Sequence, residues 1–163
     1  MFKHSYTHTY IHIPIGYICG HNMINAHALA VDVYRKKYQS KQNGVIGIVL
    51  NHDWSEPLTS AQSDVDAAQR ANEFKISWFA DPLMLGEYPS VMRVNVGERL
   101  PQFTSEQTKL VKGSWDVFYI NHYTSMYYSS APLNPAMGWE GDQGTCMKLC
   151  IHIHTYAYIN ILT

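Results

Sequence analysis

No run of 18 apolar residues occurs in this 163-residue chain, so no membrane-spanning helix is expected. The start, Met1-Phe2-Lys3-His4-Ser5-Tyr6, lacks the apolar core of a secretory signal, and the sequence leaves the compartment open. Charge is nearly absent as a net quantity: formal −1, with a pI near 6.7. Nothing here attracts a polyanion, so neither nucleic acid nor an acidic membrane is an expected partner. Cysteine is scarce. Cys19, Cys146 and Cys150 cannot build a disulfide framework, and the four-residue step between the last two identifies neither a metal nor a redox site. We read them as free thiols, and expect no cofactor and no metal. What is present is a globular composition, 46% hydrophobic and 15% charged, enough for one ordinary core.

The two ends do not match the middle. His4 to Ile13 and Ile151 to Ile159 use little beyond His, Thr, Tyr and Ile. His152 and His154 alternate like same-face residues of a strand, which is one way to present zinc ligands. The genetic code offers a plainer origin: a repeated ACAT tetranucleotide read in triplets encodes Thr-Tyr-Ile-His, the tetrapeptide at Thr9 to His12. We take residues 1–16 and 145–163 as translated repeat flanking a genuine middle. Stoichiometric zinc, lost on mutating His152 and His154, would overturn this.

The middle alternates helix and strand. Residues 20–38 read as an amphipathic helix, with Met23, Ala26, Ala30, Val33 and Tyr34 on its buried face and an Asp32–Lys36 pair opposite. Gln42-Asn43-Gly44 ends it with turn chemistry. Val45 to Leu50 is a continuous apolar run, which implies a strand buried on both faces. A helix follows at about 64–79, capped by Ser63 with Asp66 behind it, its apolar stripe made of Ala67, Ala71, Phe74 and Trp78. Asp81-Pro82 and Tyr88-Pro89 start short helical turns. Thr104-Ser105-Glu106-Gln107 is a capping box opening a helix that Gly113 closes. Trp115 to Ile120 reads as a second buried strand. Helix, strand, helices, strand is α/β order with parallel strands.

Local strings add a resemblance. Gly20-His21-Asn22 precedes Ala26-His27-Ala28; Asp53-Trp54-Ser55-Glu56-Pro57 follows the first strand. Trp78-Phe79-Ala80-Asp81-Pro82 and Gly86-Glu87-Tyr88-Pro89 come next. Then follow Arg99-Leu100-Pro101-Gln102-Phe103-Thr104, Gly113-Ser114-Trp115-Asp116 and Asn121-His122-Tyr123-Thr124-Ser125. In this order and spacing they resemble family 1 glycoside hydrolases, the β-glucosidase, lactase-like and myrosinase group, over residues 17–144. The resemblance implies part of a (β/α)8 TIM barrel, from about helix 4 to strand 6, and β-glycosides as the substrates of the full-length family.

It also implies what is missing. The family hydrolyses with retention through two glutamates about 5–5.5 Å apart. One lies in an Asn-Glu-Pro motif on the fourth strand and one in a Glu-Asn-Gly motif on the seventh. Neither tripeptide occurs in this sequence, and no catalytic residue is assigned. Ser55-Glu56-Pro57 follows the wrong strand, and Glu73 sits in a helical stretch. By resemblance Tyr123 is the tyrosine that hydrogen-bonds the nucleophile, and Asn121 is its polar neighbour. Asp53 and Trp54 belong to the leaving-group subsite, with core packing or a loop role as the plainer alternative for each. The expected function is that of a β-glycosidase fragment, inactive alone. The alternatives are a non-catalytic sugar- or partner-binding remnant and, third, a histidine-rich metal module.

Overall fold

The computed structural model describes residues 15–151, 157–158 and 161–162; His4, His8, His12, His152 and His154, on which the metal reading rests, lie outside them. Two parallel strands form the frame. β1 (Gly47–Asn51) and β3 (Val117–His122) pair in parallel from Gly47↔Val117 to Asn51↔Asn121. Between them run β2 (Trp54–Pro57), α3 (Gln62–Asn72), a π turn (Glu73–Ser77), α4 (Trp78–Leu85), α5 (Ser90–Val96) and α6 (Ser105–Val111). Before them come α1 (Ile15–Lys37) and α2 (Gln39–Gln42).

β2 pairs in parallel with β4 (Ser125–Ser130), which takes β5 (Thr145–Ile151) antiparallel. A short α7 (Trp139–Asp142) lies between the last two. β6 (Ala157–Tyr158) and β7 (Ile161–Leu162) pair antiparallel with β3. Among the described residues the strands do not close on themselves. The parallel β1–β3 pair with helices between its strands is the α/β arrangement that the order of elements predicts, and its open edges fit the partial barrel that the resemblance implies.

One face of the β1–β3 pair carries the core. Leu50 and Phe118 meet Tyr17, Ile24 and Ala28 of α1, Phe74 of the π turn and Leu83 of α4. The stripe expected from Ala67, Ala71 and Phe74 is buried, and the Thr104–Gln107 capping box forms in both directions. Asp116 ties the lower end together. Burial works against its charge, but the Ile46 N–H, Arg35 and Gln39 outweigh it and lower its pKa.

The structure corrects four expectations. α1 buries Tyr17, His21, Ile24, Ala28 and Val31, not the stripe through Met23, Ala26, Ala30 and Val33; Met23 is 64% exposed. The helix is apolar on several sides, and the sheet selected the stripe that contains a histidine, which a count of apolar residues passes over. Gly20 belongs to the buried side because a Cβ there would come within 2.6 Å of Trp78. The apolar run at β1 is not covered on both faces: Val45 is 72% and Val49 57% exposed, since helices lie on one face alone among the described residues.

Ser63 does not cap α3. That helix starts at Gln62 with Ala61 as N-cap, and Thr59 accepts the Ala61 N–H while donating to Asp64. Asp81-Pro82 does not open a new turn either. α4 runs through Pro82 to Leu85 and ends at Gly86, whose φ of 89° is the left-handed conformation that favours glycine.

Candidate functional site

Because β1 and β3 are parallel and in register, their C-terminal ends finish side by side. Asn51 and Asn121 are partners there, and the Asn121 side-chain N–H donates to the Asn51 Oδ1 at 3.0 Å. The His52 N–H donates to the Asn121 carbonyl at 3.0 Å and extends the ladder one step. Tyr123 lies one residue past the end of β3 and is 56% exposed.

The other two expected residues join from the β1 side. The Trp54 N–H donates to the Thr124 carbonyl at 3.1 Å, so β2 starts directly beside the Asn121–Tyr123 turn. The Trp54 ring is 46% exposed and its indole N–H donates to Glu56 Oε1 at 2.7 Å. Glu56, the carboxylate of the misleading Ser-Glu-Pro string, is thereby an exposed partner of an indole. Asp53 is half-buried, and its carbonyl accepts from the Lys75 ammonium at 3.4 Å. Lys75 comes from the π turn and also stands 5.1 Å from the Tyr128 ring centre. π turns of this kind recur near functional sites.

The backbone thus brings the four sequence-derived residues to neighbouring positions past the two strand ends, and of the four only Asn121 lines the cleft that opens there. Asn51 was missed. It ends an apolar run, and only the strand register reveals that it faces Asn121. A cleft of about 650 Å³ opens beside this pair, lined by Met23, Ile24, His27, Ile48, Val49, Leu50, Asn51, Lys75, Phe79 and Asn121. A second groove, about 540 Å³, lies over Glu87, Tyr88, Arg93 and Phe103 and contains none of the four. Chemically the rim offers amide and phenol hydrogen-bond donors and an aromatic face, which suits a hydroxyl-rich ring. Among the described residues no group of three His, Cys, Asp or Glu could hold a metal ion, and none of the helices is long and apolar enough to cross a membrane.

His52 sets a pH dependence beneath the rim. It is buried, packed edge-on to Trp54 with ring centres 5.9 Å apart. Burial first, then Lys75 and His122, bring its pKa from 6.5 down to about 4, against a small opposing pull from Asp53. The unfolded chain therefore takes up a proton that the native chain refuses. Stability should be full above pH 6.5 and fall by up to about 3 kcal/mol as pH drops toward 4. Urea unfolding at several pH values should show this slope in the wild type and its reduction in His52→Leu.

Comparison with known proteins completes the picture. The family model for glycosyl hydrolase family 1 matches residues 9–150. β-Glucosidase 40 of Arabidopsis thaliana is 55% identical over 111 residues, which is 68% of this chain and 22% of that protein. Oleuropein β-glucosidase of Olea europaea is 52% identical over 119 residues, 73% of this chain and 22% of that protein. Among solved structures, a mutant of the rice Os3BGlu6 β-glucosidase carrying covalently bound glucose superposes with a TM-score of 0.78 at 43% identity, over 80% of this chain and 28% of the other, and the unmutated rice enzyme with 0.77 at 42%. An aphid myrosinase gives 0.76 at 29% identity, over 84% and 32%. The chain spans about a fifth of the length of the curated relatives it matches. On the family match and the superposition together, the chain belongs to glycosyl hydrolase family 1.

Proposed function

We propose that this chain is a segment of a retaining β-glycosidase barrel and forms one side of its sugar pocket without carrying out hydrolysis alone. What supports this is the strand ends: Asn121 pairs with Asn51 where two adjacent parallel strands finish, and β2 begins at Trp54 beside Thr124. Active sites of such barrels gather at that end. In this reading Tyr123 donates a hydrogen bond to the nucleophilic carboxylate of the complete barrel, lowering its pKa and keeping it in the attacking form. Asn121, held by Asn51, is the neighbouring donor. Trp54 and Asp53 belong to the leaving-group side, where an aromatic face packs on the substrate. Residues 17–144 are the working segment, and residues 1–16 and 145–163 are additions of separate origin.

A chimera tests the assignments, with residues 17–144 replacing the matching segment of the rice Os3BGlu6 barrel. Tyr123→Phe in that background should lower kcat by about tenfold or more, since the nucleophilic carboxylate loses the donor that keeps it ionised and oriented, with KM nearly unchanged. Trp54→Ala should instead raise KM for aryl glycosides and leave kcat nearly intact, because a packing face contributes binding in ground and transition states alike. Steady-state kinetics separate the two. An unchanged kcat in Tyr123→Phe contradicts the role given to that phenol.

A further inference from the structure

Asparagine followed by glycine occurs once in this chain, at Asn43-Gly44. The pair stands at the joint between the first helices and the sheet: α2 ends at Gln42 and β1 begins at Gly47. Asn43 caps α2 in the left-handed conformation, φ 51° and ψ 32°, and among the described residues it alone has a positive φ without being glycine. Asparagine tolerates that conformation better than most residues, so residue type and turn agree. Asn43 is exposed, and its side-chain amide makes no hydrogen bond among the described residues.

These features make a reactive centre. The side-chain amide carbon of Asn43 is an electrophile, and the backbone nitrogen of Gly44 lies one peptide away. A bulky following side chain, or a hydrogen bond from that nitrogen, would hinder its attack. Here neither is present: Gly44 has no side chain, and its N–H donates no hydrogen bond among the described residues. Ring closure turns the Asn43 ψ away from its native value and swings the Gly44 peptide. The Asn43 N–H keeps its bond to the Gln39 carbonyl at 2.8 Å through that rotation. The contact given up runs from the Gln39 side-chain amide to the Gly44 carbonyl and is long, 3.3 Å. Val45, 72% exposed, absorbs the rest before the chain is anchored at Ile46.

We propose that Asn43-Gly44 is a site of spontaneous covalent modification, at which the chain loses ammonia and becomes isoaspartyl or aspartyl. The Gly44 nitrogen bonds to Asn43 Cγ and releases its proton; the bond from Cγ to the side-chain nitrogen breaks, and that nitrogen leaves as ammonia with the proton. Water then opens the cyclic imide. Attack at the side-chain carbonyl gives aspartate, and attack at the backbone carbonyl gives isoaspartate, whose main chain passes through Cβ and is one atom longer. Nothing is oxidised or reduced. Either product adds one negative charge to a chain of formal net charge −1. The longer main chain also has a structural consequence. Gln39 donates to both the Gly44 carbonyl and Asp116, and the Ile46 N–H donates to the same carboxylate at 2.9 Å. Isoaspartate at 43 displaces Gly44 from Gln39 and loosens the joint that sets the start of β1 against β3.

Peptide mass spectrometry on the full chain, incubated in neutral and in mildly alkaline buffer, tests this. The peptide carrying Asn43 should gain the mass difference between an amide and an acid and split into two products of that mass. Conversion should be faster in the alkaline buffer, where the attacking nitrogen loses its proton more readily. Gly44→Ala should slow it by at least about tenfold, because a methyl group beside the nitrogen crowds the attack. A Cβ at 44 would press on the Tyr34 hydroxyl, so this variant is made together with Tyr34→Phe, and Tyr34→Phe alone is the control. An Asn43 peptide that keeps its mass, that converts no faster than those of Asn51 and Asn121, or that converts undiminished with alanine at 44, would overturn the proposal. The isolated isoaspartyl form should unfold at lower urea than Asn43→Asp, which has the same charge on an ordinary main chain. Equal midpoints would overturn the loosening of the joint.

Discussion

Purified as it stands, this chain is expected to hydrolyse an aryl β-glucoside no faster than buffer does. Retaining hydrolysis needs an acid to protonate the departing oxygen and a carboxylate to attack the anomeric carbon, held about 5–5.5 Å apart. The sequence contains neither Asn-Glu-Pro nor Glu-Asn-Gly, the strings in which the resemblance places those two groups. The carboxylate nearest in motif, Glu56, is exposed and engaged by the Trp54 indole. Amide and phenol donors on the rim stabilise charge, but they do not replace a paired acid and nucleophilic carboxylate. The expected loss relative to a complete enzyme is at least about 10⁶-fold, since the whole covalent route is absent. A continuous assay of released nitrophenol, with enzyme-free buffer as control, reads this directly. Turnover above background that co-purifies with the chain and survives a Glu56→Gln change would mean that another carboxylate acts.

Arg99→Met is expected to cost about 3–5 kcal/mol, a large share of the total stability of an ordinary domain. Asp142 in α7 is 0% exposed, and both its oxygens accept from the Arg99 guanidinium at 2.7 Å. Tyr17 donates to the same carboxylate at 2.7 Å; burial, and then Asp142 itself, push that phenol above its ordinary 10, so it remains a donor. Three distant parts of the chain therefore meet on one buried charge: the start of α1, the turn after α5, and α7. Removing the guanidinium leaves the charge dry and half-satisfied. Removing both groups together, as Arg99→Met with Asp142→Leu, should recover much of the loss, because no unpaired charge remains. Arg99→Lys should fall between, keeping the charge but losing the two-pronged fork. Urea midpoints for the four proteins check the order.

Parts of this fold are written locally. Thr104 and Gln107 fulfil a capping rule within four residues, and Ala67, Ala71 and Phe74 mark a buried stripe by spacing alone. The strand ending at His122 and its parallel relation to β1 follow from the order of elements. What escaped was decided by distant contacts. The apolar sides of α1 look alike until a sheet chooses among them, and the choice fell on the side bearing His21, which pairs with the Tyr88 hydroxyl at 2.9 Å. Thr59 displaced Ser63 as the residue organising the start of α3 because Asp64 also accepts from the Ser130 N–H. The site divided in the same way. Tyr123, Asn121, Asp53 and Trp54 were reached through strings resembling a family. Asn51 depends on the register between strands 70 residues apart, and the Tyr17–Asp142 bond spans 125 residues. No local pattern carries either.

The central claim is that residues 17–144 form a competent wall of a family 1 barrel that lacks only what the rest of such a barrel supplies. The most direct measurement is aryl β-glucoside turnover by the chimera in which these residues replace the matching segment of the rice Os3BGlu6 barrel. Turnover within about tenfold of the parent is expected, because the segment is 42% identical to that protein and superposes on it with a TM-score of 0.77. A chimera that folds cooperatively yet hydrolyses nothing would contradict the claim, and would mean that this rim no longer fits a working pocket.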